Sequence, residues 1–433
     1  MKTGFTVVIV SLLAFLFAGC GDEDTPLPDT PIRIGAVYPF SGQQTAVGRE
    51  IRQGIELAME IINHPHPELS MPLSNGTGLP AFGGAPVRVI FADHQGLPAQ
   101  ARDVTERLIY EQRVIALIGA YQSEETRIAS EVAEQAGIPF LNPESTSPAL
   151  TQRGLQWFFR TTPTDATFVE DAFRFITALN ASRNAGLQTV ALIHEGTDFG
   201  MGVSALVGTL APQYGLQVAA DLTTGDAADV PAEVAQVRNA QPDAVLFAVY
   251  AADAIRFIRE FKRQDYAPPL VWADDAGFVT PEYLQAVGND AAFVTSREVW
   301  SRDLTGTNPL AAQVNALYRA RYGTDLNGNS ARAFTGLITL ADAINRAAST
   351  EPAAIHDALR ATEIPAGQLI MPWRGIRFDA SGQNVLGDGI IVQMLDGRYT
   401  AVWPDGIAAQ PAVFPFPGWD SVLRQPANRS SPI

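Results

Sequence analysis

Short apolar runs alternate with amphipathic segments of helical length along most of the chain. The run IRIGAVYPF at 32–40 precedes a segment in which Ile51, Ile55, Met59 and Ile62 recur at helical spacing. This order predicts a strand followed by a helix with one apolar face. Further strands of the same kind are predicted at 87–93, 114–121 and 137–142, with helices near 98–112 and 124–136.

The alternation restarts in the second half of the chain. In the strands of both halves Val, Ile and Leu are nearly continuous, which indicates that helices cover both faces of a parallel sheet. We therefore predict an α/β protein with two doubly wound parallel-sheet lobes, between which the chain crosses near 160–164 and 294–302. The second set of strands is predicted at 189–196, 216–224, 243–250 and 269–275.

The C-terminal third is predicted to contribute to both lobes. Helical stretches at 309–322, 330–348 and 352–360 return to the first lobe, and two alternating runs around an Asp-Gly turn at 389–404 form a hairpin of the second. The Pro- and Gly-rich segment 64–86 is predicted to be a long surface loop. The predicted boundaries are 32–162 with 300–385 for lobe 1, 163–299 with 386–410 for lobe 2, and 411–433 for a C-terminal tail.

The N-terminus has the pattern of a secretory signal. Lys2 precedes an apolar run from Phe5 to Phe17, which is too short to span a membrane and has the length of a signal-peptide core. Small residues then lead into Cys20, the only cysteine of the chain. This arrangement resembles a bacterial lipoprotein signal; an ordinary secretory signal with a chance cysteine is the alternative. The lipoprotein interpretation predicts a signal peptide at 1–19, a lipidated Cys20 that anchors the protein to a membrane, a flexible tether at 20–31, and a body in the periplasm or at the cell surface.

Composition and motifs exclude several classes of function. The chain has 433 residues and a formal net charge of −16, which argues for a two-domain globular protein and against a nucleic-acid partner. None of the five histidines has the spacing of a metal site, and no nucleophile elbow, P-loop or dinucleotide fingerprint is present. The only cysteine is assigned to the anchor. We therefore predict a binding protein, not an enzyme, with no metal and no cofactor.

Polar residues follow several predicted strands, where ligands bind in open parallel sheets. In PESTSPALT, after the strand at 137–142, Thr146 or Ser147 precedes Pro148, which predicts a helix start with a hydroxyl N-cap. A helix N-terminus holds a carboxylate readily, and Ser123, at the exit AYQSEET, is placed to contact the same anion. The alternative is that these hydroxyls are only helix caps.

Together these segments resemble the leucine/isoleucine/valine-binding type of periplasmic solute receptors that feed ABC transporters. The resemblance runs from IRIGAVYPFSG to GIIVQMLDGRYTAVWP, and its most specific pieces are PESTSPALTQRG, DFGMG, AVYAADA and WADDAGF. It implies a type 1 periplasmic binding protein fold, with two lobes that close on a small ligand, a three-segment hinge, no reaction, and a permease as partner.

The resemblance also implies roles for individual residues. Residues at three positions match those that hold an amino acid's α-carboxylate and neighbouring polar atoms: Ser123, Ser145 and Thr146. Tyr250 matches a ligand-contacting tyrosine, and Asp275 matches an acidic residue that pairs with the α-ammonium. Phe199 stands where the family often has a second tyrosine and lacks its hydroxyl. Asp275 is one methylene shorter than the usual glutamate.

Several assignments stay open at the level of sequence. Asp274 is an alternative partner for the ammonium, and Asp275 is alternatively a helix cap. Three further residues at strand ends are candidates for the side-chain pocket, of which the two aromatic ones are equally candidates for the core: Tyr121, Gln122 and Phe40. Glu144 is an unusual charge at this place. If it faces the cleft, it favours a polar or cationic ligand side chain over an aliphatic one.

The expected function is a lipid-anchored receptor of an ABC importer that captures a small polar ligand, most simply an amino acid. A receptor for an amide, a urea or an aromatic acid is an alternative on the same fold. A regulatory or envelope lipoprotein that contacts another protein is a second alternative, and an enzyme is a third. The sequence leaves the side-chain specificity open.

Overall fold

The computed structural model describes residue 1 and residues 30–225, 230–419 and 421. Its strands are, in chain order, β1 Ile32–Tyr38, β2 Val87–Asp93, β3 Ala116–Gly119, β4 Phe140–Asn142, β5 Phe158–Arg160, β6 Thr189–Glu195, β7 Gln217–Thr224, β8 Ala244–Ala248, β9 Leu270–Ala273, β10 Thr295–Glu298, β11 Glu363–Pro365, β12 Gly375–Arg377, β13 Ile390–Leu395 and β14 Arg398–Trp403. Its helices are α1 Thr45–Asn63, α2 Pro98–Tyr110, α3 Ser123–Ala136, α4 Asp165–Arg183, α5 Asp198–Leu210, α6 Val230–Ala240, α7 Ala251–Arg263, α8 Pro281–Val287, α9 Pro309–Tyr322, α10 Gly328–Ala347 and α11 Pro352–Arg360.

The predicted signal peptide, Cys20 and most of the tether lie outside the described residues, so these assignments stay predictions. Within the part that the structure describes, no helix combines the length and the apolarity needed to cross a membrane.

Two separate sheets form the frame of the molecule. The first is entirely parallel, with strand order β2-β1-β3-β4-β5, and the second has the order β14-β13-β10-β9-β8-β6-β7. In the second sheet β13 pairs antiparallel with β10 and with β14, so the hairpin predicted at 389–404 is confirmed. The α/β class with two doubly wound sheets is thus confirmed, and an antiparallel pair completes the second one.

The chain passes between the two sheets three times. It crosses after β5, again after β10 and finally between β12 and β13. Strands β11 and β12 form a small antiparallel ribbon of their own before the last crossing. These segments correspond to the predicted crossovers, whereas the exact lobe boundaries stay a prediction.

Helix α10 returns to the first sheet and packs on α1. Ile51 and Ile55 of α1 share one buried core with Leu337 and Ile338 of α10. A Cβ on Gly54 would lie 2.2 Å from the backbone oxygen of Ser330, so only glycine allows the two helices to approach this closely. This contact fixes α10, whose first turns reach the cleft, against the first lobe.

The segment 64–86 differs from a purely exposed loop. It has no α-helix and no strand, as predicted, but Leu69, Ser74 and Leu79 within it are buried. The Ser74 hydroxyl donates to the carbonyl oxygens of Leu69 and Met71, which closes the loop on itself. The loop is therefore anchored by side chains that its Pro- and Gly-rich composition did not predict to be buried.

Candidate ligand-binding site

A cavity with about 300 Å³ of empty space lies where the carboxyl ends of strands from the two sheets face each other. The residues that line it come from both sides: Tyr121, Ser123, Glu144, Thr146, Phe199, Tyr250, Asp275, Ala276, Arg297 and Arg332. Six of the nine predicted ligand-binding residues are therefore brought together here.

The first lobe contributes two hydroxyls. Ser123 is the first residue of α3, so it sits at the end of that helix where free amides and a partial positive charge concentrate. Its hydroxyl accepts a hydrogen bond from the backbone N–H of Ser147 at 3.4 Å. Thr146, 4% exposed, follows β4 and lines the cavity beside it. This side of the cavity thus offers hydroxyls and a helix N-terminus to an anionic group.

The predicted helix start is confirmed in position, with Ser147 as the N-cap residue and Pro148 as the first helical residue, but the predicted hydroxyl cap is wrong. Pro148–Thr151 forms only one turn of 3₁₀ helix, and the Ser147 side chain makes no capping hydrogen bond. The guanidinium of Arg160 instead fixes this segment, since its Nη1 donates to the carbonyl oxygens of Ser147 at 2.7 Å and Ser145 at 3.2 Å. The backbone carbonyls of Ser145 and Ser147 therefore point toward the buried Arg160 guanidinium. The helix-end amides in the site come from α3.

Three aromatic rings bridge the two lobes. Tyr121 follows β3, Tyr250 precedes α7, and Phe199 lies in the first turn of α5. The Tyr121 and Tyr250 rings are 6.2 Å apart between centroids, and those of Phe199 and Tyr250 are 5.7 Å apart. Burial raises the pKa of both tyrosine hydroxyls, so they remain protonated hydrogen-bonding groups at neutral pH. The lobes are in contact across the cleft through these rings.

A buried charge network forms the opposite side of the cavity. Asp275 Oδ2 accepts from Arg297 Nη1 at 2.7 Å and from Arg332 Nη2 at 3.0 Å. Asp274, the alternative ammonium partner, accepts from Arg297 Nε at 2.5 Å and does not line the cavity. Arg297 also stacks over the Phe168 ring at 3.9 Å. Asp275 is thus the carboxylate that faces the cavity, and one of its oxygens is held by two arginines.

Sequence reasoning missed both arginines. Arg297 lies on β10 in the otherwise weakly charged run VTSREVW, and Arg332 lies on α10 among small and apolar residues. A single cation inside such a buried segment is a signal, because a charge is rarely buried unless it is paired. The sequence did not show that these arginines belong to the site, because their partner Asp275 is distant along the chain, 57 residues from Arg332.

The Glu144 side chain, whose orientation the sequence left open, faces the cavity. It lines the cavity, is 3% exposed, and its Oε2 accepts a hydrogen bond from the Tyr38 hydroxyl at 2.9 Å. Burial raises the pKa of Glu144 to about 8, although the nearby Arg332 charge and the Tyr38 hydrogen bond lower it. At neutral pH the Glu144 side chain is therefore mostly an uncharged acid.

Three polar atoms of cavity-lining residues lack a hydrogen-bond partner among the described residues. They are Arg332 Nε, Asp275 Oδ1 and Glu144 Oε1, and all three are buried. Buried polar groups are nearly always paired, and an unpaired one calls for an explanation such as a ligand contact. The cavity thus offers one donor, one anionic acceptor, and one carboxyl oxygen.

Three of the residues that line the cavity have strained backbone conformations. Tyr121, Asp275 and Ala276 all have positive φ angles, of 124°, 57° and 38°. Residues other than glycine adopt such angles at a cost, and they cluster at binding sites. Gly277 completes the turn, since a Cβ there would lie 2.4 Å from the backbone carbon of Tyr250. The turn after β9 is therefore pressed against the start of α7, which aims Asp275 at the cavity.

Three predicted residues lie outside the lining. The Ser145 hydroxyl is used inside lobe 1, where it contacts Thr126 Oγ1 at 2.5 Å and donates to the Tyr121 carbonyl oxygen at 2.9 Å. Gln122 precedes α3 as its N-cap residue, without a side-chain cap. Phe40 packs edge-on against Phe91, with ring centroids 5.5 Å apart. Ser145 and Phe40 thus support the fold around the site, and Gln122 marks the start of α3.

The comparisons with known proteins agree with this architecture. Residues 31–398 match the family model described as periplasmic binding protein. The Leu/Ile/Val-binding protein homolog 7 of Brucella abortus is 27% identical over 391 residues, which cover 87% of this chain and 92% of the relative.

Two solved structures share the fold. The branched-chain amino acid transporter substrate-binding protein LivJ of Streptococcus pneumoniae, in complex with isoleucine, has a TM-score of 0.71 at 21% identity and covers 89% of this chain and 100% of its own. A solute-binding protein of an ABC transporter from R. palustris, in complex with benzoate, has a TM-score of 0.69 at 18% identity and covers 89% and 98%. At these identities the likeness shows a type 1 periplasmic binding protein fold. Because the family model spans most of the chain, this protein belongs to the periplasmic binding protein family.

Proposed function

We propose that this protein is the solute receptor of an ABC importer and that it captures a small amino acid between its two lobes. The observation that carries the proposal is the set of unpartnered buried atoms on the cavity wall, above all Arg332 Nε and Asp275 Oδ1. A donor for an anion and an acceptor for a cation match the two charged groups of a zwitterion. The relatives named for Leu, Ile and Val binding support the same class of ligand.

The lining supplies a partner for each charged group. The α-carboxylate is placed at the Ser123 and Thr146 hydroxyls, at the N-terminus of α3, within the field of Arg332. The α-ammonium is placed at Asp275 Oδ1. Because Arg297 and Arg332 hold the other oxygen of Asp275, the carboxylate is fixed before the ligand arrives. Such preorganisation lowers the entropic cost of binding.

The charge balance of the site also favours a ligand without net charge. Arg297 and Arg332 are matched by Asp274 and Asp275, while Glu144 is mostly uncharged at neutral pH. A third carboxyl group, that of Asp165, lies 3.9 Å from Arg297, and burial raises its pKa to about 7. A zwitterion leaves this balance unchanged. A purely anionic or cationic ligand would add an unmatched charge to a buried site, which is costly.

Closure couples binding to transport in this proposal. A ligand that contacts both lobes shifts the open–closed equilibrium by the difference between its affinities for the two states. A micromolar dissociation constant corresponds to about 8 kcal/mol, which exceeds the few kcal/mol that separate such states. The closed form is then the form presented to the permease.

We also propose that a lipid on Cys20 holds the receptor at the membrane outside the cytoplasm. The support is the sequence alone: a short apolar run leads into the only cysteine, and a polar segment follows. Labelling of cells with a radioactive fatty acid tests this proposal. Incorporation into the wild type but not into Cys20→Ser is expected, and equal labelling of both would contradict it.

An aromatic acid is the second candidate ligand. The Tyr121, Phe199 and Tyr250 rings line the cavity, and the benzoate-bound neighbour shows that the fold accepts such a ligand. A simple aromatic carboxylate has no donor for Asp275 Oδ1 and would leave this oxygen buried without a partner. This difference makes the zwitterion the better match.

Calorimetric titration of the full-length protein tests the proposed function. The protein is purified in detergent, unfolded and refolded to remove co-purified ligand, and titrated with amino acids, amides, urea and aromatic acids. One-to-one binding of an amino acid that is lost with its decarboxylated amine and with its deaminated acid supports the zwitterion clamp. Binding of benzoate but of no amino acid, or no binding across the panel, would overturn the proposal.

A further inference from the structure

The two carboxyl oxygens of Glu144 have different surroundings. Tyr38, on β1 and fully buried, donates its hydroxyl hydrogen to Glu144 Oε2 at 2.9 Å. Glu144 Oε1 is buried and has no hydrogen-bond partner among the described residues, while the residue itself lines the cavity. The Tyr38 contact thus fixes the side chain so that its second oxygen is left for whatever fills the cavity.

We propose that Glu144 is the specificity-determining residue of the site, and that it selects an amino acid with a short amide or hydroxyl side chain over an aliphatic one. This inference rests on the proposed function, because it assumes that Asp275 and the α3 end of the cavity bind the α-ammonium and α-carboxylate. It names the class of side chain that the remaining polar group of the cavity accepts.

An aliphatic side chain is disfavoured because it would leave Glu144 Oε1 buried without a hydrogen-bond partner, which costs free energy. A closed lobe interface excludes the water that would otherwise pair with this oxygen. Sites with a polar group placed for a ligand hydrogen bond reject analogues that lack it, because the protein group is left unpaired. We expect this effect to reduce the affinity for leucine about 10- to 100-fold relative to the preferred ligand.

A cationic side chain is disfavoured by the charges around Glu144. The groups that act on its carboxyl are the Tyr38 hydroxyl and the Arg332 guanidinium, and Arg297 is a second cation of the same lining. With the pKa of Glu144 raised to about 8, the carboxyl is mostly uncharged at neutral pH and offers a cation little compensation. A lysine or arginine side chain would therefore meet two buried arginines.

An amide or hydroxyl side chain can pair with Glu144 in either protonation state. Its N–H or O–H donates to the ionised oxygen, and its oxygen accepts from the protonated acid. The empty space of about 300 Å³ includes space open to solvent, so the enclosed part of the cavity is smaller still and favours a short side chain of this kind. Asparagine, glutamine, serine and threonine are the probes that represent this class.

The test is a titration of the refolded full-length protein with these four amino acids, leucine, isoleucine and lysine. The wild type is expected to bind at least one amide or hydroxyl amino acid about 10-fold or more tightly than leucine. Glu144→Leu should reverse this preference. Glu144→Gln should keep it within a few-fold, because the amide oxygen still accepts from the Tyr38 hydroxyl and the amide N–H group can donate to the oxygen of the ligand side chain.

A matched control is Glu125→Gln. Glu125 is equally buried, its pKa is raised to about 7, and it does not line the cavity. Its substitution should leave the order of affinities unchanged, which separates the role of Glu144 from the general effect of removing a buried carboxyl.

The outcomes separate this inference from the function on which it rests. If the wild type binds leucine, isoleucine or lysine most tightly, the proposed role of Glu144 is wrong, while the amino-acid receptor function is kept. This outcome is measured on the wild type, so it does not depend on the folding of any variant. A Glu144→Leu protein that keeps the wild-type order of affinities would also contradict the role of Glu144 alone. Binding of no amino acid would overturn the proposed function together with the inference.

Discussion

At the residue scale, Asp275 joins the charge network of the protein to the ligand cavity. One oxygen is held by Arg297 and Arg332, and the other is buried and unpartnered among the described residues. The same side chain therefore stabilises two buried cations and offers an acceptor to the ligand. A substitution here changes both stability and binding, and the two effects have to be measured separately.

We expect Asp275→Asn to reduce amino-acid affinity about 100-fold, because the neutral amide no longer attracts the α-ammonium. The free energy of unfolding should fall by about 3 kcal/mol, since Arg332 loses its charged partner in a buried site. Calorimetry and urea unfolding measure the two quantities. The control is Asp171→Asn, which removes a buried carboxylate that does not line the cavity. Undiminished affinity in Asp275→Asn would argue against the zwitterion clamp.

At the element scale, the segment after β4 is positioned by a cation from the next strand. Arg160, fully buried on β5, donates to the carbonyl oxygens of Ser145 and Ser147, to Thr151 Oγ1 at 3.0 Å and to Gln383 Oε1 at 2.7 Å. Burial lowers the pKa of Arg160 to about 9. The guanidinium ties β4, β5 and the third crossover together just behind Thr146.

We expect Arg160→Met to lower the free energy of unfolding by about 3 kcal/mol, because several buried carbonyl and side-chain acceptors lose their donor. Ligand affinity should fall about 10-fold as Thr146 loses its support. Urea unfolding and calorimetry measure these changes. Arg374→Met is the control, since this arginine is 62% exposed and its loss should change stability by less than about 0.5 kcal/mol. Equal free energies of unfolding for the two variants would contradict the proposal that Arg160 stabilises the segment after β4.

Helices α3 and α5 meet across the mouth of the cleft. Arg127 Nε donates to Asp198 Oδ2 at 2.9 Å, and the two side chains are 37% and 43% exposed. Arg127 belongs to a helix of the first sheet and Asp198 to a helix of the second. The ion pair therefore joins the two lobes, while Arg127 also lies within 3.7 Å of Glu124 and 3.6 Å of Glu131 on its own helix. We expect the pair with Asp198 to form only when the lobes are close together.

We expect Asp198→Asn to weaken ligand binding about 2- to 5-fold, which is the size of effect typical of an exposed ion pair. The difference from the wild type should shrink at high salt, because salt screens exposed charges. Calorimetry at low and high sodium chloride measures both effects. Glu170→Gln is the matched control, because it breaks a similarly exposed pair with Arg174 inside the single helix α4. An equal loss of affinity in both variants would contradict a specific role in closure.

At the scale of the whole molecule, several buried carboxyl groups are held in their uncharged form. Burial raises the pKa of Glu50 to about 7 and the pKa values of Glu144, Glu195 and Glu298 to about 8. Between the ordinary glutamate pKa and these values the folded state binds more protons than the unfolded state. The free energy of unfolding therefore decreases as pH rises through this window.

We expect the protein to be more stable near pH 6 than near pH 8.5, by at least about 2 kcal/mol in the free energy of unfolding, which is the contribution of a single group whose pKa is raised to about 8. Urea unfolding at the two pH values measures the difference. Glu144→Gln should make it smaller, because one of the groups that bind a proton on folding is gone. A stability that rises over this interval, or a pH dependence that is unchanged in Glu144→Gln, would contradict the assignment.

The sequence by itself determined the architecture and one side of the site. The alternation of strands and helices, the crossovers and the hairpin at β13 and β14 follow from periodicities within about 20 residues, which local packing enforces. Strand ends of a parallel sheet meet at one edge, so Ser123 and Thr146 could be assigned to the cavity from their positions in the chain, whereas Tyr121 was equally a candidate for the core. The sequence showed that Glu144 carries an ionisable group, but it did not show whether this side chain faces the cavity.

Only the tertiary structure decided the electrostatics of the site. Arg332 comes from α10 and Arg297 from β10, and their pairing with Asp275 depends on elements that are distant in sequence. The same holds for the Tyr38 contact that fixes Glu144 at the cavity and for the carbonyls that Arg160 holds just before the 3₁₀ turn at Pro148–Thr151. Burial of a charge is stable only with partners, and local sequence does not show which distant residue supplies them. The periodic pattern therefore specified where a ligand binds, and the long-range contacts specified which charges it meets there.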